Sequence, residues 1–267
     1  MKALTVLTKF IHTASYVTII PLARLLPASA VNEDSLKGLA LYLPSVGLMI
    51  GFMLAVTCLA LEALHTANFL LATLITILWL TITGGLHFDG LMDTADGILS
   101  HRSKERMLEI MQDSRVGNFA VMVGVAAFAL KVAALTALST SLSATLLAYF
   151  LLFAPCFGRL AETFAIGAFS YARPEGKGKV WHDTMKFPQD LFLAMILPLA
   201  LFIGAVVLSN GSMLIPLAIY FGIACGAGLI SAVYLNNRLG GQTGDTYGAV
   251  VELTETISLT VFALIHI

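Results

Sequence analysis

The chain has 267 residues, of which 58% are hydrophobic and 12% charged, with a formal net charge of -1. A soluble domain carries roughly a quarter of its residues as Asp, Glu, Lys and Arg, so this composition, with its mean hydropathy of +0.89, excludes an ordinary soluble fold. The balanced charge and the absence of a dense basic tract exclude nucleic acid as a partner.

The chain opens with LTKFIHTASYVTIIPLARLL, an amphipathic stretch that reads as an interfacial or re-entrant helix. Lys9 and His12 interrupt it and no small-residue cleavage site follows, so it is not a signal peptide. Apolar runs then recur at 39–61, 69–83, 117–138, 144–168, 191–208, 213–235 and 248–266, most of them near the length a helix needs to cross a bilayer. They predict one all-α domain over residues 1–267, a polytopic integral membrane helix bundle of about seven transmembrane helices with interfacial helices beside them. Thirteen of the fifteen lysines and arginines fall in alternate connections, while ALEALHTAN, STSLS and SNGS hold none. Positive loops stay on the cytoplasmic side, which puts the long polar loops, and with them the working face, in the cytoplasm. Cys58, Cys156 and Cys225 all lie in apolar runs, are odd in number and lack metal-ligand spacing, so they read as buried packing residues without a disulfide.

After the second apolar run comes TGGLHFDGLMDTADG, residues 83–97, with three acids and no lysine or arginine. Asp89, Asp93 and Asp96 are spaced by four and then three residues, which on a helix places them on one face. An isolated aspartate beside glycine most often caps a helix. Three like charges on one face repel unless a cation sits there, and magnesium uses one or two carboxylates with the rest of its shell from water and substrate phosphate. The cluster therefore reads as a metal-held phosphate site. HRSKERMLEIMQDSRVGNF continues as an interfacial helix ending in Asp113-Ser114-Arg115, where a guanidinium suits a phosphate. His87 is the histidine nearest the acids.

Farther on, Lys131, Arg159, Glu162, Glu252 and Glu255 fall inside apolar spans, where charge must face protein or water. An ion-paired lock between helices and a substrate contact both account for them. The loop SYARPEGKGKVWHDTMKFPQD carries Arg173, Lys177, Lys179 and Lys186 and suits closure over an anion or anchoring on the membrane surface. GGQTGDTYGAVVELTE, from Gly240 to Glu255, sets Gly244 and Asp245 in a glycine-rich turn entering the final run, the kind of turn whose amides hold phosphate.

Taken together, TGGLHFDGLMDTADG, RMLEIMQDSRVGNF and GGQTGDTYGAVVELTE resemble, in order, the cobalamin synthases, or adenosylcobinamide-GDP ribazoletransferases. The resemblance implies a Mg²⁺-dependent phosphotransferase of the late nucleotide-loop step of cobalamin biosynthesis. Such an enzyme moves the adenosylcobinamide phosphate group from adenosylcobinamide-GDP to the ribose hydroxyl of α-ribazole or its 5′-phosphate and releases GMP. It implies a multi-pass protein of the bacterial or archaeal cytoplasmic membrane, alone, as a homo-oligomer or beside other corrinoid-assembly enzymes. On the joint reading Asp89, Asp93 and Asp96 bind the metal, Asp113 or His87 takes the proton, and Arg115, Gly244, Asp245, Arg159 and Glu252 contact substrate. Asp93-Thr-Ala-Asp96-Gly97 also echoes the D-x-x-D-G of the CDP-alcohol phosphotransferases, although the following A-R is Ser100-His101 here. That lipid enzyme class and a membrane transporter are the alternatives; a scaffold for other enzymes leaves the three aspartates unexplained.

Overall fold

A computed structural model describes residues 2–27 and 36–266. Among the described residues the elements are helical throughout: α1 (Lys2–Val17), α2 (Leu43–Ala63), α3 (Asn68–Ile82), α4 (Leu86–Leu99), α5 (Lys104–Ile110), α6 (Asn118–Ser141), α7 (Ala144–Ala168), α8 (Lys179–Thr184), α9 (Gln189–Leu208), α10 (Leu214–Leu239) and α11 (Gly244–His266), with 3₁₀ turns at Leu22–Leu25 and Leu39–Tyr42. Six stretches are long and apolar enough to cross a membrane: Leu39–Ala63, α6, α7, α9, α10 and α11. A seventh is the pair α3 and α4, which meets the same test together but bends by 90° at the break. The chain is thus an all-α, multi-pass membrane protein.

The bend follows from local chemistry. The Thr83 hydroxyl donates to the Leu80 carbonyl at 3.1 Å, closing the end of α3, and Gly84 and Gly85 then take φ of 60° and 71°. Two consecutive left-handed residues are accessible to glycine at little cost, and they turn the chain so that α4 leaves the direction of α3.

α11 lies at the centre, packed against α4, α6, α7 and α10, while α7 joins it to α2. α9 is peripheral, with 17% of its apolar window buried, the pattern of a helix that faces lipid. Cys58 and Cys156 are buried, but Cys225 is exposed, contrary to the expectation from its apolar run. α10 buries Leu217, Tyr220, Ala224, Ala227 and Gly228, and Cys225 stands about 100° around the helix from Ala224, on the outward side.

The charges inside the spans find one another. Lys131 of α6 donates to Glu252 at 2.7 Å and to Glu255 at 2.9 Å, both on α11, and its ammonium sits 4.5 Å from the centroid of the Trp79 ring on α3. Glu255 also accepts from Arg159 of α7. Buried charges are tolerated when paired and hydrogen-bonded, and breaking such a pair is far costlier than never having built it. Three helices are locked together at this point.

Candidate active site

The site begins where α4 crosses α11. A Cβ on Gly90 would stand 2.6 Å from the Asp245 carbonyl oxygen, and one on Gly248 would stand 2.9 Å from the His87 Cα. Only two glycines let these backbones touch, and the contact sets the acids of α4 beside the start of α11. That start is fixed by a reciprocal capping box: the Thr246 amide donates to the Thr243 hydroxyl at 3.2 Å, and the Thr243 amide to the Thr246 hydroxyl at 2.7 Å. Asp245 therefore sits in the first turn of α11, where the helix dipole favours a carboxylate.

The loop after α7 is pinned to the same turn. The Ala172 amide donates to the Gln242 carbonyl at 2.7 Å and the Gln242 amide to Ser170 at 2.8 Å, which brings Arg173 Nη1 to 2.9 Å from Asp245 Oδ2. Arg173 was one of four basic residues of equal standing in the loop, and no spacing in the sequence singles it out.

A pocket of about 220 Å³ opens between α1, α4, α7, α8 and α11. Its polar wall holds His87, Asp89, Glu162, Lys177 and Asp245, and its aromatic wall Tyr16, Trp181 and Tyr247. Gly244, a candidate from the glycine turn, lines it as well. His87, 2% exposed, has Nδ1 at 3.4 Å from Arg159 Nη2 and Nε2 at 3.6 Å from Glu162 Oε2. Glu162 Oε2 and the Tyr247 hydroxyl are buried without a hydrogen-bond partner.

The three aspartates of α4 have separate fates. Asp89 is exposed at the pocket. Asp93 is half-buried, and the charges of Asp89, Asp245 and Asp96 all oppose its own, with Arg173 as counterweight. Asp96 accepts from the Gly117 amide at 2.7 Å and the Ala120 amide at 2.8 Å, so it caps α6 from a neighbouring helix, the role an aspartate beside glycine most often takes. The shared helical face is real, but Asp96 is already engaged by two backbone donors.

Asp113 and Arg115 pair with each other, Nε at 2.9 Å from Oδ1 and Nη2 at 2.6 Å from Oδ2. Both are exposed and neither lines the pocket. The guanidinium pushes the Asp113 carboxyl down to about 2. Arg159 and Glu252 are 0% and 1% exposed and lie in the ion-pair lock, so Arg159 reaches the pocket only through His87. Sequence reasoning passed over Tyr16 and Tyr247, while Trp181 stood out only as part of the basic loop suited to closing over an anion.

Among the described residues, no group of three or more His, Cys, Asp and Glu side chains converges into a ready-made metal cage. The donors near the crossing are hard carboxylate oxygens under mutual repulsion. This set fits a cation that takes one or two carboxylates and completes its shell with water and phosphate.

A helix bundle of six or seven candidate spans, with an acid-lined pocket between its helices, defines a multi-pass membrane protein. A profile described as cobalamin-5-phosphate synthase matches residues 9–263. Relatives named adenosylcobinamide-GDP ribazoletransferase include one from Thermosynechococcus vestitus, 38% identical over 242 residues, 90% of this chain and 91% of the relative. Others come from Desulfitobacterium hafniense, 37% identical over 92% of each chain, and Synechococcus elongatus, 36% identical over 93% of each. The chain belongs to the cobalamin-5-phosphate synthase family and is a transferase of cobalamin biosynthesis. No solved structure matches it.

Proposed function

We propose that the chain transfers the adenosylcobinamide phosphate group from adenosylcobinamide-GDP to a ribose hydroxyl of α-ribazole or α-ribazole 5′-phosphate. The hydroxyl oxygen forms a bond to the phosphorus on the cobinamide side, and the bond from that phosphorus to the bridging oxygen breaks. GMP leaves with that oxygen and the bond electrons, and the hydroxyl proton passes to the protein. The observation that carries this reading is the family match along nearly the whole chain, residues 9–263.

Asp89 and Asp93, with Asp245 across the helix crossing, would hold Mg²⁺ together with the diphosphate; Asp96 is the more distant candidate because it caps α6. The ion supplies charge neutralisation on the transferred phosphate and its leaving group. Arg173 keeps Asp245 oriented toward the α4 acids. Of the two proton acceptors that the sequence offers, His87 lines the pocket with Glu162 behind it, while Asp113 is held by Arg115. The pocket is at the end where the basic loops gather, which supports a cytoplasm-facing site in the cytoplasmic membrane. Transport finds less support, because Lys131, Arg159, Glu252 and Glu255 are paired with one another inside the bundle.

The test is GMP release by the purified protein in detergent, given adenosylcobinamide-GDP and α-ribazole 5′-phosphate, with Mg²⁺ and then with EDTA. Metal-dependent GMP release coupled to a new corrinoid is the expected result. No release from folded protein with Mg²⁺ present overturns the reading.

A further inference from the structure

The geometry points to the 220 Å³ pocket as the seat of the acceptor nucleoside, its flat base against Tyr16, Trp181 and Tyr247 and its ribose hydroxyls on Glu162 and the Tyr247 phenol. This rests on the transfer proposed above and assigns one substrate to one part of the site.

Three aromatic side chains reach the pocket from three different elements, Tyr16 from α1, Trp181 from α8 and Tyr247 from α11. Tyr16 and Trp181 are mutually packed at 5.2 Å between centroids, and Tyr247 is backed by Tyr171 at 6.3 Å. Pre-packed rings lose little freedom when a planar base stacks on them, and stacking tolerates any aromatic ring system.

Two polar atoms in the same wall lack a hydrogen bond, and His87 Nε2 stands 3.6 Å from one of them, Glu162 Oε2. Glu162 Oε2 and the Tyr247 hydroxyl are buried with no hydrogen bond, on residues only 7% and 3% exposed. Such groups are costly until satisfied. Glu162 calls for a hydrogen-bond donor and Tyr247 for a donor or an acceptor, and vicinal sugar hydroxyls supply both. A lipid tail fits the rings but leaves both atoms unpaired.

The placement of the acids separates this nucleoside from the guanosine diphosphate of the other substrate. Three acids, Asp89, Glu162 and Asp245, face the pocket against one lysine, Lys177. Asp89 and Asp245 lie on the side of the helix crossing, where the Mg²⁺-bound diphosphate would sit, which leaves the side of Glu162, Trp181 and Tyr247 to the acceptor nucleoside.

The experiment uses fluorescence. The chain has two tryptophans; Trp79 is buried under Lys131, so Trp181 reports on the pocket. Saturable quenching by α-ribazole or its 5′-phosphate, lost in Trp181→Phe, is expected. Glu162→Gln and Tyr247→Phe should each weaken that binding by about tenfold, the loss of one hydrogen bond, with KM for adenosylcobinamide-GDP unchanged. Quenching by GMP or GDP instead, or none by either ribazole while GMP release proceeds, overturns the assignment. Because quenching needs no turnover, a protein that binds α-ribazole yet releases no GMP keeps this inference and loses the proposed reaction.

Discussion

Gly90→Ala tests whether the contact between α4 and α11 sets the geometry of the site. The added Cβ would sit 2.6 Å from the Asp245 carbonyl oxygen, and ordinary contact begins at 3.4 Å, so the two helices must part by about 0.8 Å. The obstacle is backbone in the first turn of α11 and has no rotamer with which to yield. Overpacking of this kind costs about 1–3 kcal/mol, which a bundle tied by buried ion pairs survives. The larger effect is on chemistry, because α4 carries Asp89 and Asp93 away from Asp245, and a misplacement near 1 Å costs on the order of 10²-fold in rate. Gly222→Ala and Gly226→Ala on α10 are the matched controls, since nothing lies within 4 Å of the added methyl. GMP release per folded protein, with thermal unfolding in the same detergent, should show Gly90→Ala folded and slowed about 10²-fold and the controls unchanged. Gly90→Ala at the wild-type rate would refute the argument that this crossing positions the acids.

Lys131→Met leaves Glu252 without its cation and Glu255 with Arg159 alone; we expect a loss of about 3–5 kcal/mol, seen as a lower unfolding temperature and recovered in part by adding Glu252→Gln. Asp96→Ala removes the cap of α6 and should cost about 0.5–2 kcal/mol of stability, whereas Asp93→Asn removes a half-buried carboxylate opposed by its neighbours and should raise the unfolding temperature while abolishing the Mg²⁺ response of turnover. An Asp96→Ala protein that unfolds at the wild-type temperature would show that Asp96 has no capping role. Arg173→Gln frees Asp245 and should lower kcat more than it raises the KM for either substrate; wild-type kcat would dismiss Arg173 as an orienting group. The Asp113 carboxyl lies below its ordinary value because of Arg115, so the pair's contribution is present above the usual carboxylate range and fades as the pH falls toward about 2; a titration of Asp113 that Arg115→Ala leaves unmoved would contradict the pairing.

The spans were legible because hydropathy reports directly on lipid: the run at 144–168 is α7, and the others match their helices within a few residues. The bend after Thr83 was less so. Glycines mark a break but not its angle, and α4 needed the tertiary contact at Gly90 to fix its direction. The shared face of Asp89, Asp93 and Asp96 was read correctly from spacing, yet the amide donors that engage Asp96 come from Gly117 and Ala120, more than twenty residues on. Lys131 had no readable partner for the same reason, its acids lying on α11. The aromatic wall was invisible because Tyr16, Trp181 and Tyr247 meet only once α1, α8 and α11 are assembled.

The lock between Lys131, Arg159, Glu252 and Glu255 also orders the making of the protein. α6 and α7 leave the ribosome well before α11, each carrying a cation whose insertion alone costs about 2.5–3.5 kcal/mol at the middle of a bilayer. The acids that neutralise them arrive on α11, which also brings Asp245 and Tyr247 to the pocket. The same docking event that settles the bundle electrically completes the proposed site, so a chain that lacks α11 carries uncompensated cations in α6 and α7 and an unfinished pocket.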